Sequence, residues 1–84
     1  MNFNIKWKPK PYKSLNQLPL NISKRIWKKV SSIKSNPFRY LEHFEGEDLY
    51  KLRIGDYRVL IDVDFDNKLL IVQVLDKRGR IYKR

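Results

Sequence analysis

The spacing of apolar residues changes its period twice along this chain, and that change constrains the fold more than any other feature. Residues 2–8 alternate apolar and polar side chains, which is typical of a half-buried strand. Over residues 11–36 the apolar positions recur at steps of three and four, which indicates amphipathic helix. Over residues 49–76 the alternation returns. Such a chain can bury its apolar surface by packing helices against one face of a sheet.

The helical segment is interrupted at Pro19 and Asn21, which predicts two helices. We expect a short helix near 10–18 and a longer one near 20–35, ended by the Asn-Pro pair at 36–37. The apolar positions that define the buried side are Leu15, Leu18, Ile22, Ile26, Val30 and Ile33. The polar side carries five cations and no acid, so it is either a phosphate-binding face or a solvated one.

The second half of the chain predicts three strands after a connecting loop at 38–48. Gly55-Asp56 is a two-residue turn with glycine first, as a type II′ hairpin prefers. Asp66-Asn67 predicts a second turn, and residues 68–75 are almost all apolar, as in a central strand covered on both faces. Ile81-Tyr82 would add a short final edge. The expected fold is α+β, in the order β-α-α-β-β-β, with an N-terminal helical hairpin packed on a small, mainly antiparallel sheet.

Charge gives the first indication of function. The 84 residues suit one small domain and carry 19 lysines and arginines against 9 acids, a net charge of +10. This excess favours a polyanionic partner, with a nucleic acid or a nucleoprotein ahead of a membrane or an acidic protein. The absence of cysteine, of a signal peptide and of any membrane span leads us to expect a cytoplasmic protein. With one histidine, His43, no metal site is expected.

The hairpin between the first two strands of the second half is the main candidate site. Lys51 and Arg53 are two residues apart, so they share one face of a strand. A two-residue turn sets Arg58 opposite Arg53. The apolar residues of both strands should meet the helices, so all three cations should emerge together on the opposite face. Like charges facing each other across strands repel; either a bound anion or side chains splayed into water would relieve that repulsion.

The C-terminal tail adds a tyrosine in basic surroundings. Tyr82 follows a basic turn at 76–80 and is flanked by Arg80, Lys83 and Arg84. Neighbouring cations lower the pKa of a phenol. Tyr82 is therefore a candidate proton acceptor, or a stacking partner for a base.

The run GEDLYKLRIGDYRVL at 46–60 resembles the signature of the RelE/ParE superfamily of toxin–antitoxin toxins. The element order and the basic, tyrosine-containing tail are similar to that superfamily too. Its RelE branch consists of ribosome-dependent mRNA endonucleases, which inhibit translation and arrest growth, and its ParE branch poisons gyrase. The resemblance implies three partners: mRNA, the ribosome and a cognate antitoxin, which we expect to be small and acidic.

The RelE resemblance also implies a site. The implied catalytic residues are Lys51, Arg53, Arg58, Arg78 and Tyr82. The residues expected to bind RNA are Lys77, Arg80, Lys83 and Arg84, and Lys77 is the alternative to Arg78 as the cation of the tail motif. The implied mechanism uses no cofactor or metal: a ribose 2′-OH attacks its own 3′ phosphate and leaves a cyclic phosphate and a 5′-OH end.

Asp76 is the main departure from the RelE pattern. Many members carry a histidine at this place in the tail motif, so the carboxylate could attenuate cleavage. Two other functions therefore stay open. One is a non-catalytic RNA- or ribosome-binding module on the same basic sheet, and the other is a ParE-like inhibitor of gyrase.

Overall fold

The structure, a computed structural model, describes residues 2–44 and 48–77. In chain order its elements are β1 (Asn4–Trp7), α1 (Pro9–Asn16), α2 (Leu20–Ser32), two 3₁₀ turns (Ile33–Ser35 and Pro37–Arg39), β2 (Glu42–Phe44), β3 (Leu49–Ile54), β4 (Tyr57–Asp64) and β5 (Leu69–Lys77). The strands form one sheet in the order β1-β5-β4-β3-β2. Only β1 and β5 pair in parallel within the described ranges. The predicted α+β fold, with two helices on a mainly antiparallel sheet, is confirmed.

Prolines set the limits of both helices. Pro9 begins α1, where its missing N–H costs nothing, and Pro19 directly precedes α2. The longer helix ends earlier than predicted, at Ser32, and passes into a 3₁₀ turn. Asn36 then takes an extended φ of −154° before Pro37, as a residue before proline favours. No helix in the described part of the chain is long and apolar enough to cross a membrane.

The core lies between the helices and one face of the sheet. Ile26 and Val30 of α2 and Ile33 of the following turn are at most 1% exposed. The strand residues in the same cluster include Leu52, Ile54, Val59, Ile61, Leu70, Val72 and Leu75. Burying an aliphatic side chain of this size contributes roughly 1.5–3 kcal/mol. This packing fixes the orientation of the sheet and leaves its opposite face turned away from the helices.

Two turns set the register of the antiparallel strands. Gly55 has a φ of +57°, the left-handed conformation that the first residue of the predicted II′ turn requires. The turn before β5 is longer than predicted and spans 65–68. The Asp64 carboxylate accepts hydrogen bonds from Asn67, at 2.9 Å from its side-chain Nδ2 and 3.1 Å from its backbone N. These bonds hold the pKa of Asp64 below its ordinary value.

The loop predicted over 38–48 is wrong in part, because Glu42–Phe44 form β2 and pair with β3. Three residues are too few to show a period in the sequence, so this strand is defined by its hydrogen-bonded pairing with β3. The Glu42 carboxylate lies 3.9 Å from the Lys51 Nζ directly across the pair. The predicted final edge at Ile81-Tyr82 lies outside the described residues.

Candidate functional site

The three predicted strand cations lie on the face of the sheet turned away from the helices. Lys51 and Arg53 alternate along β3 with Leu52 and Ile54, which belong to the core. Arg58 precedes a fully buried core residue of β4 and therefore also points to the opposite face. Strand pleating thus brings the three cations to one side, as expected.

The register gathers charges into one row across three strands. Arg53 of β3 stands directly opposite Arg58 of β4, which confirms the predicted pairing. On its other side Arg58 stands opposite Asp76 of β5. Side chains directly opposite each other in a ladder have Cβ atoms about 4.5–5.5 Å apart. We call Arg53, Arg58 and Asp76 the charged row; Lys51 lies two residues from it along β3.

The members of the charged row differ in depth. Arg53 is exposed, whereas Arg58 is only 6% exposed. The expectation that Arg58 emerges from the sheet as Arg53 does is therefore wrong. The cause lies in the topology, because β4 is flanked by β3 and β5 whereas the pairing of β2 stops at Lys51 and leaves Arg53 beyond it. A guanidinium held at this depth has little freedom to reorient, which suits a fixed anion-binding group.

Asp76 and Lys77 project to opposite faces of the sheet. Lys77 pairs with Tyr57, which packs against the core on the helix side. Its backbone N–H donates to the Asp76 carboxylate at 2.8 Å. Asp76 thus joins Arg58, whereas the structure does not bring Lys77 to the charged row. The other predicted tail residues lie outside the described residues: Arg78, Arg80, Tyr82, Lys83 and Arg84.

One feature of the site was not predicted. Arg53 lines a groove together with three cations of α2, namely Arg25, Lys28 and Lys29. The sequence shows those cations on the polar side of the helix, but only the packing of α2 beside the end of β3 brings them to Arg53. We call this the α2–β3 groove.

Chemically, Arg53 and Arg58 of the charged row, together with Lys51, are cations that can bind a phosphodiester. A guanidinium offers a planar fork of N–H donors that matches two phosphate oxygens. Fixed cations also stabilise the negative charge that develops on those oxygens when the phosphorus is attacked. The Asp76 carboxylate opposes both effects, because it places a negative charge in the same row.

Comparison with known proteins shows the family. Residues 5–81 match the family described as the ParE toxin of the type II toxin–antitoxin system parDE. A candidate toxin, RelE1, of Methanocaldococcus jannaschii is 28% identical over 88 positions, which cover 99% of this chain and 98% of the relative.

Solved structures share the fold. The archaeal RelE–RelB complex of Pyrococcus horikoshii contains a chain with a TM-score of 0.77 and 28% identity, covering 95% of this chain and 99% of that one. The RelBE2 toxin–antitoxin complex of Mycobacterium tuberculosis contains one with a TM-score of 0.84 and 18% identity, covering 93% and 100%. With the family match spanning 5–81, the chain belongs to the RelE/ParE superfamily of toxins of type II toxin–antitoxin systems.

Proposed function

We propose that this toxin is a RelE-type endoribonuclease that cuts mRNA on the ribosome, in the cytoplasm. The observation that carries the proposal is the pairing of Arg58 with Arg53 on the face opposite the helices, with Arg58 held almost fully buried. A buried arginine that faces another arginine across the strands is destabilising unless an anion or another partner balances its charge. The similarity to RelE1 and to the Pyrococcus horikoshii chain supports the RelE branch.

In the proposed reaction the ribose 2′-OH oxygen attacks the adjacent phosphorus. A bond forms between that oxygen and phosphorus, and the bond from phosphorus to the 5′ oxygen of the next nucleotide breaks. The products are a 2′,3′-cyclic phosphate and a 5′-OH end. Lys51, Arg53 and Arg58 stabilise the charge on the phosphoryl oxygens. Tyr82, as the phenolate, takes the proton of the 2′-OH, and the leaving 5′ oxygen takes a proton from water while the guanidinium of Arg78 stabilises its negative charge.

In this proposal the ribosome aligns the RNA for in-line attack. In-line attack requires the 2′ oxygen, the phosphorus and the leaving oxygen to be aligned, and alignment contributes a large share of such a rate enhancement. The sheet face offers cations, and cations alone do not force a flexible RNA into this geometry. We therefore propose that message bound in the decoding site is the substrate and that free RNA is cut poorly.

A second candidate, inhibition of gyrase, is favoured by the family match itself, because the matching family is that of ParE toxins. Asp76 in the charged row also favours it, since a carboxylate beside Arg58 weakens the attraction for a phosphate. The two candidates predict different targets and can be separated in one set of assays.

The test is translation with purified ribosomes, with the 5′ ends of the message mapped by primer extension. We expect new ends within codons at the decoding site, only when ribosomes are present, and no change in DNA supercoiling by purified gyrase. An intact message together with blocked gyrase would instead establish the ParE-type function. Co-expression of the small acidic protein that we expect to be encoded beside this toxin should restore translation.

Substitution of Asp76 is predicted to raise the cleavage rate, whereas most substitutions in an active site lower it. Asp76→Asn should raise the cleavage rate about tenfold, because it removes a negative charge next to Arg58, and tenfold corresponds to about 1.4 kcal/mol in the barrier. The matched control is Asp62→Asn, which makes the same charge change. Asp62 lies on β4, on the same face of the sheet as Arg58 and four residues from it. Equal rates for both variants would show that Asp76 does not act at the site.

A further inference from the structure

The excess of positive over negative charge lies in one part of the chain. Residues 1–41 contain ten lysines and arginines and no acid, whereas residues 42–84 contain nine of each sign. The net charge of +10 therefore belongs entirely to the first segment, which forms β1, the two helices and the 3₁₀ turns. The strands that hold the charged row belong to the balanced segment. The helical layer thus contributes a large part of the attraction of this protein for polyanions.

Part of this charge lies around the α2–β3 groove, a solvent-open groove of about 500 Å³. Its lining includes Arg25, Lys28, Lys29, Ser32, Arg53 and Gly55. Four of these six residues are cations, three from the helix and one from the strand. Helical spacing alone would leave them on a solvated face; the contact with the end of β3 turns them toward a common space.

Two of these cations, Arg25 and Lys29, are restrained by contacts. The Arg25 guanidinium lies against the turn at Gly55, where a Cβ atom would come within 2.9 Å of its Nη2. Gly55 therefore serves both the left-handed turn and the close approach of Arg25. The Lys29 ammonium lies 4.5 Å from the centre of the Tyr40 ring, a cation–π contact that restrains this side chain too.

The groove has no matching negative charge in the described residues. Within 2–44 and 48–77, no carboxylate comes within 4.0 Å of any of the four cations. Asp56, the acid nearest in sequence to the groove, is exposed and does not belong to its lining. Four like charges around one space repel one another, and an anion in that space would be attracted to all four.

We propose that the α2–β3 groove binds the sugar–phosphate backbone of RNA, at a place separate from the charged row. A phosphate backbone fits better than an acidic protein, because the only apolar side chain in the lining is that of Ile54 and a protein segment would need apolar anchors. Arg53 connects the two places, because it stands opposite Arg58 in the charged row and also belongs to the lining of the groove. The groove holds RNA by charge, without reading its sequence. This inference does not require cleavage, and it would hold for a non-catalytic protein as well.

The test measures binding of the full-length chain to a mixed-sequence RNA duplex of about 20 base pairs, across a range of salt concentrations. The groove variant is Arg25→Gln with Lys28→Gln, two exposed residues of α2. The control is Lys13→Gln with Lys34→Gln, which removes the same charge from exposed positions outside the groove. We expect the groove variant to bind about tenfold more weakly than the control and to lower the salt slope by roughly 2, since each phosphate contact contributes about 1.

A charge-preserving variant separates lost contacts from lost folding. Arg25→Lys with Lys28→Arg should bind RNA nearly as the wild type does, because phosphates accept either cation. Equal weakening by the groove and control variants would overturn the proposal, since net charge alone would then explain binding. It would also be overturned if the groove variant bound RNA normally but lost affinity for poly-glutamate. This assay contains no ribosomes, so its outcome is independent of the cleavage assay.

Discussion

Arg58→Lys should lower the rate of ribosome-dependent cleavage roughly a hundredfold, and Arg58→Gln should lower it further. Arg58 lies at 6% exposure in an interior strand, with Arg53 on one side and Asp76 on the other. Its guanidinium can give two parallel hydrogen bonds to a phosphoryl group. Lysine keeps the charge but loses the planar fork, so the second bond is missing when charge builds up on the oxygens.

The measurement is single-turnover cleavage of message on saturating ribosomes, with the 5′ ends mapped. Arg39→Lys is the matched control, because it makes the same exchange at an exposed arginine in a 3₁₀ turn. Changing a buried charge can unfold a small protein, so thermal unfolding followed by circular dichroism accompanies each variant. Folded Arg58→Lys and Arg58→Gln proteins that cut at the wild-type rate would remove Arg58 from the mechanism.

The pairing within the candidate site could be predicted from sequence because the turn fixes it. A two-residue hairpin with glycine first leaves one register, and the alternation of apolar residues leaves one orientation of the faces. Arg53 opposite Arg58 follows from those two facts, and the structure has this pair. The two helices were predictable for a similar reason, since their apolar stripe recurs over several turns.

The solvent exposure of side chains on this face could not be predicted from the same pattern. Alternation says which face a side chain takes, but the exposure of Arg58 depends on the strands on both sides of β4. The neighbour Leu60 shows the same effect, because it lies on the face opposite the helices and is still only 5% exposed. It packs with Phe44 and Leu49, in the region where the unpredicted strand β2 meets β3. Burial on this face thus follows from non-local pairing.

The α2–β3 groove was missed because its parts are distant in sequence. The cations of α2 form a visible polar side, and Arg53 belongs to a visible strand, but nothing in either segment predicts that they meet. Their meeting depends on how the helical layer packs across the sheet, and that packing rests on Ile26, Val30 and Ile33. The position of the groove is therefore a consequence of the core.

Ile26→Ala should destabilise the protein by about 2–5 kcal/mol, because it removes three methyl or methylene carbons from a site that is 1% exposed. Small domains have a free energy of unfolding of only about 5–15 kcal/mol, so this variant should lose a large part of its stability. Urea denaturation followed by circular dichroism measures the change. By the same reasoning, Ile26→Val should lower the free energy of unfolding by about 0.5–1.5 kcal/mol, less than Ile26→Ala does.

The control for this helix is Leu20→Ala, since Leu20 begins α2 and is 68% exposed. Its truncation should change the free energy of unfolding by about 0.5 kcal/mol or less, as surface substitutions usually do. A similar cost for Leu20→Ala and Ile26→Ala would mean that α2 does not dock through the stripe described. In that case the α2–β3 groove would lose its structural basis, because the same docking places Arg25 and Lys28 beside Arg53. The stability series thus tests the scaffold of the proposed RNA contact without any RNA present.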